Sequence, residues 1–275
     1  MLPCSIVRRP SARPIGQPTR GKTAPNRLRK TDIFLALAFP EFVRHLPGLY
    51  IDLGYGAYPV TSVETLVRLR AFNPELRVVG VEIDPERVAA ALPDRQPGLD
   101  FRLGGFNLPL QSGERAAVVR AFNVLRQYPE SDVPGALQAL AEGMTEHALL
   151  IEGTSSPTGQ LMTFNLFQQH ARRLETLGLV LAPSLHRDFA PRQLQPVLPK
   201  NYIHHAAPDG AIDAFFGTWT KAWSAARAHG QDLRQVFSAS ALRLRDAGYA
   251  LDPRPALLRR GFLWLKSPWP LRNDE

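Results

Sequence analysis

The sequence predicts an α/β protein with a doubly wound, mostly parallel sheet. Short apolar segments alternate with helical ones between residues 49 and 153. The clearest case is an apolar segment at residues 49–53, a glycine turn, a helical segment and a second apolar segment at residues 78–81. That order is a β-α-β unit, the building block of a parallel sheet.

The first unit has recognisable boundaries. Residues 49–53 predict a short buried strand, and Pro59 suits the first turn of the helix that follows it. Thr61 and Glu64 have the spacing of a capping box. We expect the helix to end near Phe72, because Asn-Pro follows it.

The remaining elements follow from the same apolar periods and from Pro and Gly as end signals. Helices are predicted at residues 27–39, 41–46, 85–92 (with Asp84 as N-cap), 133–144 and 232–247. Strands are predicted at residues 99–103, 116–121, 147–152, 249–252 and 261–266.

A cofactor site is expected where the strands of the first unit end. Gly54 and Gly56 follow the first strand and, lacking a Cβ, let the backbone approach a ligand closely. Glu82 stands at the carboxyl end of the second strand, where it could accept hydrogen bonds from both hydroxyls of a ribose. This is the usual layout of a nucleotide-cofactor site.

Charge discriminates between two kinds of cofactor. A dinucleotide site would want a third glycine at position 59, where the sequence has Pro59. Asp52 is expected to face the ligand, where it would repel a pyrophosphate but attract the ammonium and sulfonium of S-adenosylmethionine. Asp52 and Pro59 therefore argue against a nicotinamide-dependent oxidoreductase.

Four segments together resemble the motifs of class I S-adenosylmethionine-dependent methyltransferases, in the order of that family. They are Asp52-Leu-Gly-Tyr-Gly, Gly80-Val-Glu-Ile-Asp-Pro, Leu103-Gly-Gly-Phe-Asn-Leu-Pro and Val118-Val-Arg-Ala-Phe-Asn-Val-Leu. Residues 247–249 and 261–266 are similar to the closing strands of the family. The sequence departs from the family at Tyr58, which replaces the third glycine of the first motif, and at Gly105, which replaces the acid that contacts the adenine.

The resemblance implies a Rossmann-like sheet of the class I methyltransferase type, S-adenosyl-L-methionine as cofactor, and methyl transfer as the activity. It assigns cofactor binding to Asp52, Gly54, Tyr55, Gly56, Glu82, Ile83, Gly105, Phe106 and Asn123. In this family the segment before the first motif often lies over the cofactor, so Asn26 and Arg27 could reach the site, although a surface helix is the preferred interpretation there.

Asn123 has two interpretations. It lies just past the predicted fourth strand, where open α/β sheets bind ligands, and its amide could hold the cofactor or a substrate. Alternatively, the amide satisfies the backbone of its own turn. Arg120 and Arg126 flank it and are expected to be structural or on the surface.

The domain organisation comprises a basic arm, residues 1–31, and a methyltransferase domain, residues 32–275. The arm holds eight basic residues and no acid, and its five prolines predict that it is flexible. The rest of the chain has equal numbers of basic and acidic residues. The basic residues at positions 8–30 could bind nucleic acid, or the arm could simply be solvated.

Residues 154–230 are predicted to form a cap on the substrate side. Alternation at residues 162–167 and 177–181 predicts an extra hairpin. Apolar and aromatic residues from Ile212 to Trp223 fall at helical spacing and predict the core face of a lid helix, with an aromatic substrate wall as the alternative. An acceptor is expected beneath that helix.

Other classes lack support in the sequence. No apolar run is long enough to span a bilayer, and the single Cys4 fits a reducing cytoplasm. We predict no metal site. The sequence does not identify a catalytic residue, and it does not predict an oligomeric state. The preferred function is methyl transfer to a small or medium-sized acceptor. The alternatives are an RNA or DNA methyltransferase that uses the arm, and a non-catalytic nucleic-acid-binding protein with the same fold.

Overall fold

The structure is a computed structural model, and it describes residues 13–229, 232–266 and 269. Residues 1–12 of the predicted arm, with Cys4, lie outside the described residues. The strands are β1 (Leu49–Leu53), β2 (Val78–Glu82), β3 (Leu99–Leu103), β4 (Ala116–Phe122), β5 (Met144–Ser155), β6 (Met162–His170), β7 (Arg173–Leu181) and β8 (Leu263–Lys266). The helices of the described residues are α1 (Arg29–Ala38), α2 (Pro40–Arg44), α3 (Val60–Arg70), α4 (Pro85–Ala91), α5 (Val133–Gly143), α6 (Lys200–Ile203), α7 (Ala211–His229), α8 (Leu233–Asp246) and α9 (Pro255–Leu258).

All eight strands form one sheet in the order β3-β2-β1-β4-β5-β6-β7-β8. The first five in that order are parallel, and the chain reverses direction across the sheet between β1 and β4. In such sheets the ligand crevice lies at the carboxyl ends of the strands at that switch point. The predicted doubly wound α/β class is confirmed, and the parallel half has a Rossmann-like arrangement.

The antiparallel half contains the predicted hairpin. β6 pairs with both β5 and β7, and β8 pairs with β7. The hairpin that was expected in the cap is therefore part of the sheet, so residues 162–181 are corrected from cap to sheet. The predicted strand at residues 249–252 is wrong, because among these residues Leu251 alone forms a β-bridge, to Leu265.

Helices cover both faces of the sheet. α1, α2 and α3 pack on one face, and α5 packs on the other face of the parallel half. α7 and α8 cover the antiparallel half on the face that α5 occupies. The predicted core face of α7 is confirmed, since Phe215, Phe216 and Trp219 are completely buried.

Two predicted helix starts have different outcomes. Asp84 is the N-cap of α4, and its carboxylate accepts hydrogen bonds from the backbone N–H groups of Glu86 and Arg87. The capping box of α3 is wrong: Pro59 precedes the helix, and the Thr61 hydroxyl donates to Asp52 instead of capping the helix. The hydrogen bond from Thr61 to the buried carboxylate of Asp52 therefore replaces the expected local capping bond.

Within the described residues, the structure contains no helix whose length and apolar character would let it cross a membrane.

Candidate active site

The glycine turn after β1 and the acid at the end of β2 come together as the sequence predicts. Gly54 and Gly56 have φ angles of 70° and 93°, in the left-handed region that favours glycine. The Gly54 N–H donates to the Val81 carbonyl at 2.7 Å, and the Gly56 N–H donates to Oε2 of Glu82 at 3.1 Å. The turn and the acid therefore form one hydrogen-bonded unit at the switch point of the sheet.

Backbone donors fix the orientation of Glu82. Its Oε1 accepts hydrogen bonds from the N–H groups of Ile83, at 2.9 Å, and Asp84, at 3.4 Å. The guanidinium of Arg87 lies 3.7 Å from its Oε2. The side chain is 1% exposed but lines a small cavity, so a group entering that cavity would meet a carboxylate that is already oriented.

The role expected for Asp52 needs correction. Its carboxylate does not offer a free charge, because Arg120 pairs with both of its oxygens at 2.9–3.0 Å. The hydroxyls of Thr61 and Ser62 also donate to it, both at 2.8 Å. An ion-paired, hydroxyl-bonded carboxylate attracts a cation only weakly. The charge argument for the cofactor therefore loses its main support.

Arg120 connects that pair to a second buried acid. Its Nη1 lies 2.9 Å from Oδ1 of Asp32 and 2.8 Å from Oγ1 of Thr65. Arg68 pairs with the other oxygen of Asp32 at 3.0 Å. Burial raises the pKa of Asp32, and the two arginines oppose that shift. The structural role expected for Arg120 is confirmed, and an arginine inside an apolar strand segment was its signal in the sequence.

The other predicted residues surround the same unit. Tyr55 is buried against Phe101, with ring centroids 5.5 Å apart, and its hydroxyl donates to the Arg87 carbonyl. Ile83, Gly105 and Phe106 line the small cavity beside Glu82. Tyr58, by contrast, points outward and is 70% exposed.

Residues 13–22, which we call the covering segment, lie across these groups. The Phe106 N–H donates to the Ile15 carbonyl, and the Ala57 N–H donates to the Gly21 carbonyl, both at 2.8 Å. On the other side, the N–H of Gln17 donates to the Tyr128 hydroxyl. Side chains add further bonds: Asn107 with Ile15, Gln127 with Arg20, and Arg87 with Thr19. The described part of the predicted flexible arm is therefore packed on the domain.

The covering segment leaves little room beside Glu82. A Cβ on Gly105 would lie 2.1 Å from the Ile15 carbonyl oxygen, and a Cβ on Gly56 would lie 2.6 Å from the Gly21 carbonyl oxygen. The cavity between the segment and Glu82 has a volume of about 20 Å³. Small-molecule sites usually span roughly 300–1,000 Å³. Gly56 and Gly105 thus allow another group to approach their backbone closely, and in this structure that group is the backbone of the covering segment.

A larger cavity of about 390 Å³, which we call the outer cavity, lies beside the glycine turn. Loops after β1, β4 and β5 form its walls together with the covering segment. Its lining includes Arg27, Asn123, Arg126, Thr154 and Ser155. Arg27 was expected on a surface helix, but it is 9% exposed and belongs to this wall.

Asn123 joins β4 to β5. Its Nδ2 donates to Oγ of Ser155 at 3.2 Å, and its Oδ1 accepts from the backbone N–H of Ser155 at 3.1 Å. The residue has a φ of 59°, in the left-handed region. Its amide therefore satisfies the turn, as one of the two interpretations expected, while the residue also lines the outer cavity.

Glu152 is a titratable group that sequence reasoning missed. It is 3% exposed near the end of β5 and accepts a hydrogen bond from Asn165 of β6 at 2.9 Å. Burial raises the pKa of Glu152 to about 7, which the bond from Asn165 opposes. Its position two residues before Thr154 puts it on the same side of β5 as that wall of the outer cavity. The signal in the sequence that could have identified Glu152 is an acidic residue within a segment predicted to be a strand.

The acceptor position expected beneath α7 stays a prediction. Phe215 and Trp219 pack against Tyr249 and Phe237, and α7 contributes nothing to the lining of the outer cavity. The aromatic-wall alternative for this helix therefore has no support. Among the described residues, one group could hold a metal ion: Glu146, His147 and His170, all exposed, near the turn between β6 and β7.

Comparisons with known proteins give partial structural overlaps. No protein-family model matches the sequence, and no curated protein matches it. The magnesium protoporphyrin IX methyltransferase of Synechocystis PCC 6803 is 20% identical with a TM-score of 0.33, over 46% of this chain and 56% of that one. The N-methyltransferase NodS of Bradyrhizobium japonicum WM9 is 10% identical with a TM-score of 0.32, over 47% of this chain and 70% of that one. A putative protein-L-isoaspartate O-methyltransferase of Plasmodium falciparum is 14% identical with a TM-score of 0.32, over 51% of this chain and 66% of that one.

Proposed function

We propose that this chain binds S-adenosylmethionine at the carboxyl ends of β1, β2 and β4 and transfers its methyl group to an acceptor in the outer cavity. The observation that carries the proposal is the hydrogen-bonded unit of Gly54, Gly56 and Glu82. A left-handed glycine turn beside an oriented carboxylate suits the close approach of a ribose that carries two hydroxyls.

The chemistry of the neighbouring residues fits that cofactor. Glu82 would accept the ribose hydroxyls, and Ile83 and Phe106 supply apolar surface of the kind that an adenine ring packs against. Gly54 and Gly56 would lie along the backbone-facing side of the amino-acid part. Asp52 acts here through its bonds to Thr61 and Arg120, as a positioning residue for the turn.

S-adenosylmethionine, when bound, supplies a methyl group already activated on a sulfonium. The protein therefore needs to align the acceptor with that methyl group and to exclude water, and a dedicated general base is optional. The outer cavity supports both tasks, because Phe122, Pro196 and Val197 provide apolar walls next to the polar ones. This agrees with the lack of any catalytic motif in the sequence.

Cofactor binding requires the covering segment to move. Its backbone at Ile15–Gly16 lies beside Ile83 and Phe106, and the remaining volume beside Glu82 is about 20 Å³. We propose that the cofactor displaces this segment. Most of the hydrogen bonds that would be exchanged join neutral groups and are each worth only about 0.5–1.5 kcal/mol net, whereas the bond from the charged Arg87 to the Thr19 carbonyl is worth about 1.5–3 kcal/mol.

Calorimetric titration with S-adenosylhomocysteine tests the proposal, using the full chain and a chain that starts at residue 23. We expect binding, and a loss of affinity of roughly 10-fold or more in Glu82→Gln, because hydrogen bonds to a charged group contribute about 1.5–3 kcal/mol. Glu86→Gln is the matched control, since Glu86 is exposed on α4. If neither chain binds the ligand at millimolar concentration, cofactor binding is excluded.

A second candidate is the non-catalytic protein that binds nucleic acid through residues 8–30. The observation that favours it is the covering segment itself, which occupies the room a cofactor would need. The same titration separates the two candidates. A non-catalytic protein would bind no S-adenosylhomocysteine even without residues 1–22, and it would bind RNA or DNA in a salt-dependent way.

A further inference from the structure

The charge of the outer cavity is one-sided. Four cationic side chains line it: Arg20, Lys22, Arg27 and Arg126. Its lining contains no aspartate or glutamate. Across residues 13–229, 232–266 and 269, none of the four makes an ion pair with a carboxylate, although many other arginines of the protein do.

Two of these arginines are held in place by neutral groups. Nε and Nη2 of Arg27 donate to the hydroxyl and the carbonyl of Ser155, at 3.0 and 3.2 Å. Nη1 of Arg126 donates to the Pro196 carbonyl at 2.8 Å. Burial lowers the pKa of Arg27 and of Arg126, and no neighbouring acid offsets the shift. Each guanidinium is therefore oriented, while its charge is left uncompensated.

Thr154 provides an independent indication of a ligand. Its side chain is 3% exposed and lines the outer cavity, yet its hydroxyl is buried with no hydrogen-bond partner among the described residues. A buried hydroxyl without a partner costs free energy unless a ligand or water satisfies it. An anionic oxygen in the cavity would accept from that hydroxyl as well as from the guanidinium groups.

We propose that the outer cavity binds a small acceptor that carries a carboxylate or a phosphate group, held by Arg27, Arg126 and Thr154. Partly buried guanidinium groups form strong, geometrically defined hydrogen bonds with such anions. The cavity volume of about 390 Å³ is that of a small-molecule site. A small acceptor is favoured over a nucleic acid because the chain beyond residue 31 has no net positive charge. The proposal names the substrate class of the methyl transfer proposed above and rests on it.

Calorimetry on the full chain tests the anion site without any cofactor. The probes are benzoate and phenyl phosphate, with benzamide as the neutral counterpart of benzoate. We expect both anions to bind and benzamide to bind roughly 10-fold more weakly or not at all, because it offers no charge to the guanidinium groups. Equal affinities for benzoate and benzamide would overturn the proposal.

Variants assign the binding to the cavity. Arg126→Gln should weaken the binding of phenyl phosphate about 10-fold, and Arg126→Lys should lose less affinity than Arg126→Gln. Thr154→Val should also weaken the binding of phenyl phosphate. Arg115→Gln is the matched control: Arg115 likewise donates to a backbone carbonyl and has no carboxylate partner among the described residues, but it lies before β4, at the opposite end of the sheet. Equal losses in the Arg126 and Arg115 variants would contradict the site.

Two further outcomes are informative. If a single-stranded RNA displaces phenyl phosphate and loses affinity with Arg126→Gln while benzoate fails to bind, the acceptor is nucleic acid and the small-acceptor proposal is wrong. If the anions bind as expected but S-adenosylhomocysteine binds neither the full chain nor the chain starting at residue 23, the anion site stands and methyl transfer fails. The two proposals can therefore fail separately.

Discussion

The guanidinium of Arg120 lies between the carboxylates of Asp52 and Asp32, and all three side chains are almost completely buried. One positive and two negative charges in the core are costly to desolvate, and removing one member would leave an unpaired charge that destabilises by about 3–5 kcal/mol. The hydroxyls of Thr61, Ser62 and Thr65 donate further hydrogen bonds to the carboxylate oxygens that Arg120 contacts. Its effect is to fix the end of β1, and hence the glycine turn, relative to α1 and α3.

Glu152 gives a prediction about pH. Its pKa is about 7 in the folded protein against 4.5 for the free side chain, so between these values the folded state binds more protons than the unfolded state. Stability should therefore fall as pH rises from about 4.5 to about 7 and then level off, with a loss on the order of 3 kcal/mol.

The measurement is urea unfolding of the wild type and of Glu152→Gln between pH 5 and 8. The difference in unfolding free energy between the two proteins should shift in favour of the variant as pH rises, because glutamine keeps the shape and cannot ionise. Taking the difference removes other titrating groups such as Lys30, whose pKa burial lowers to about 7. A difference that does not change with pH would contradict the shift.

At the scale of elements, the local parts of the site were predictable and the distant ones were not. Gly54, Gly56 and Glu82 follow from a β-α-β pattern within about 35 residues, where strand ends fix the positions. Arg27 and Thr154 come from segments about 130 residues apart, so their meeting depends on β5 lying beside β4. No period or motif in the sequence encodes that contact.

The hairpin illustrates the same limit. Alternation in residues 162–167 and 177–181 predicted two strands, and both form. Alternation of apolar and polar residues does not determine which strand of a sheet a new strand pairs with. In the structure, β6 pairs with β5. Residues 154–230, which were expected to form the cap, therefore contain two antiparallel strands of the sheet, and the helices after these strands pack over the sheet around a second core.

The covering segment yields the prediction at this scale. A chain starting at residue 23 should bind S-adenosylhomocysteine about 10-fold or more tightly than the full chain, because the ligand no longer has to displace the bonds of Ile15, Gln17 and Gly21. Calorimetry compares the two chains directly. A chain starting at residue 13 retains the covering segment and serves as the control, with the affinity of the full chain. Weaker binding after removal of the segment would mean that it holds the ligand in place instead of competing with it.

For the whole molecule, positive charge is concentrated at one end of the chain. Residues 1–31 hold eight basic side chains and no acidic one, whereas the remainder carries no net charge. Within the described part of that segment, Arg27 and Lys30 are buried and bonded to protein carbonyls. Of the eight basic residues in residues 1–31, five precede residue 23.

This distribution predicts how the protein responds to RNA. Residues 1–22 contain five basic residues, so five phosphate contacts with a single strand would give a slope of log affinity against log salt of about −3.5. Fluorescence anisotropy with a labelled single-stranded RNA measures that slope for the full chain and for the chain starting at residue 23. We expect the shorter chain to lose most of the affinity and to show a slope near zero, because residues 32–275 have no net charge and two of the three basic residues at positions 23–31, Arg27 and Lys30, are buried. An unchanged slope in the shorter chain would place the nucleic-acid surface on the folded domain and would favour a nucleic-acid acceptor over a small anion in the outer cavity.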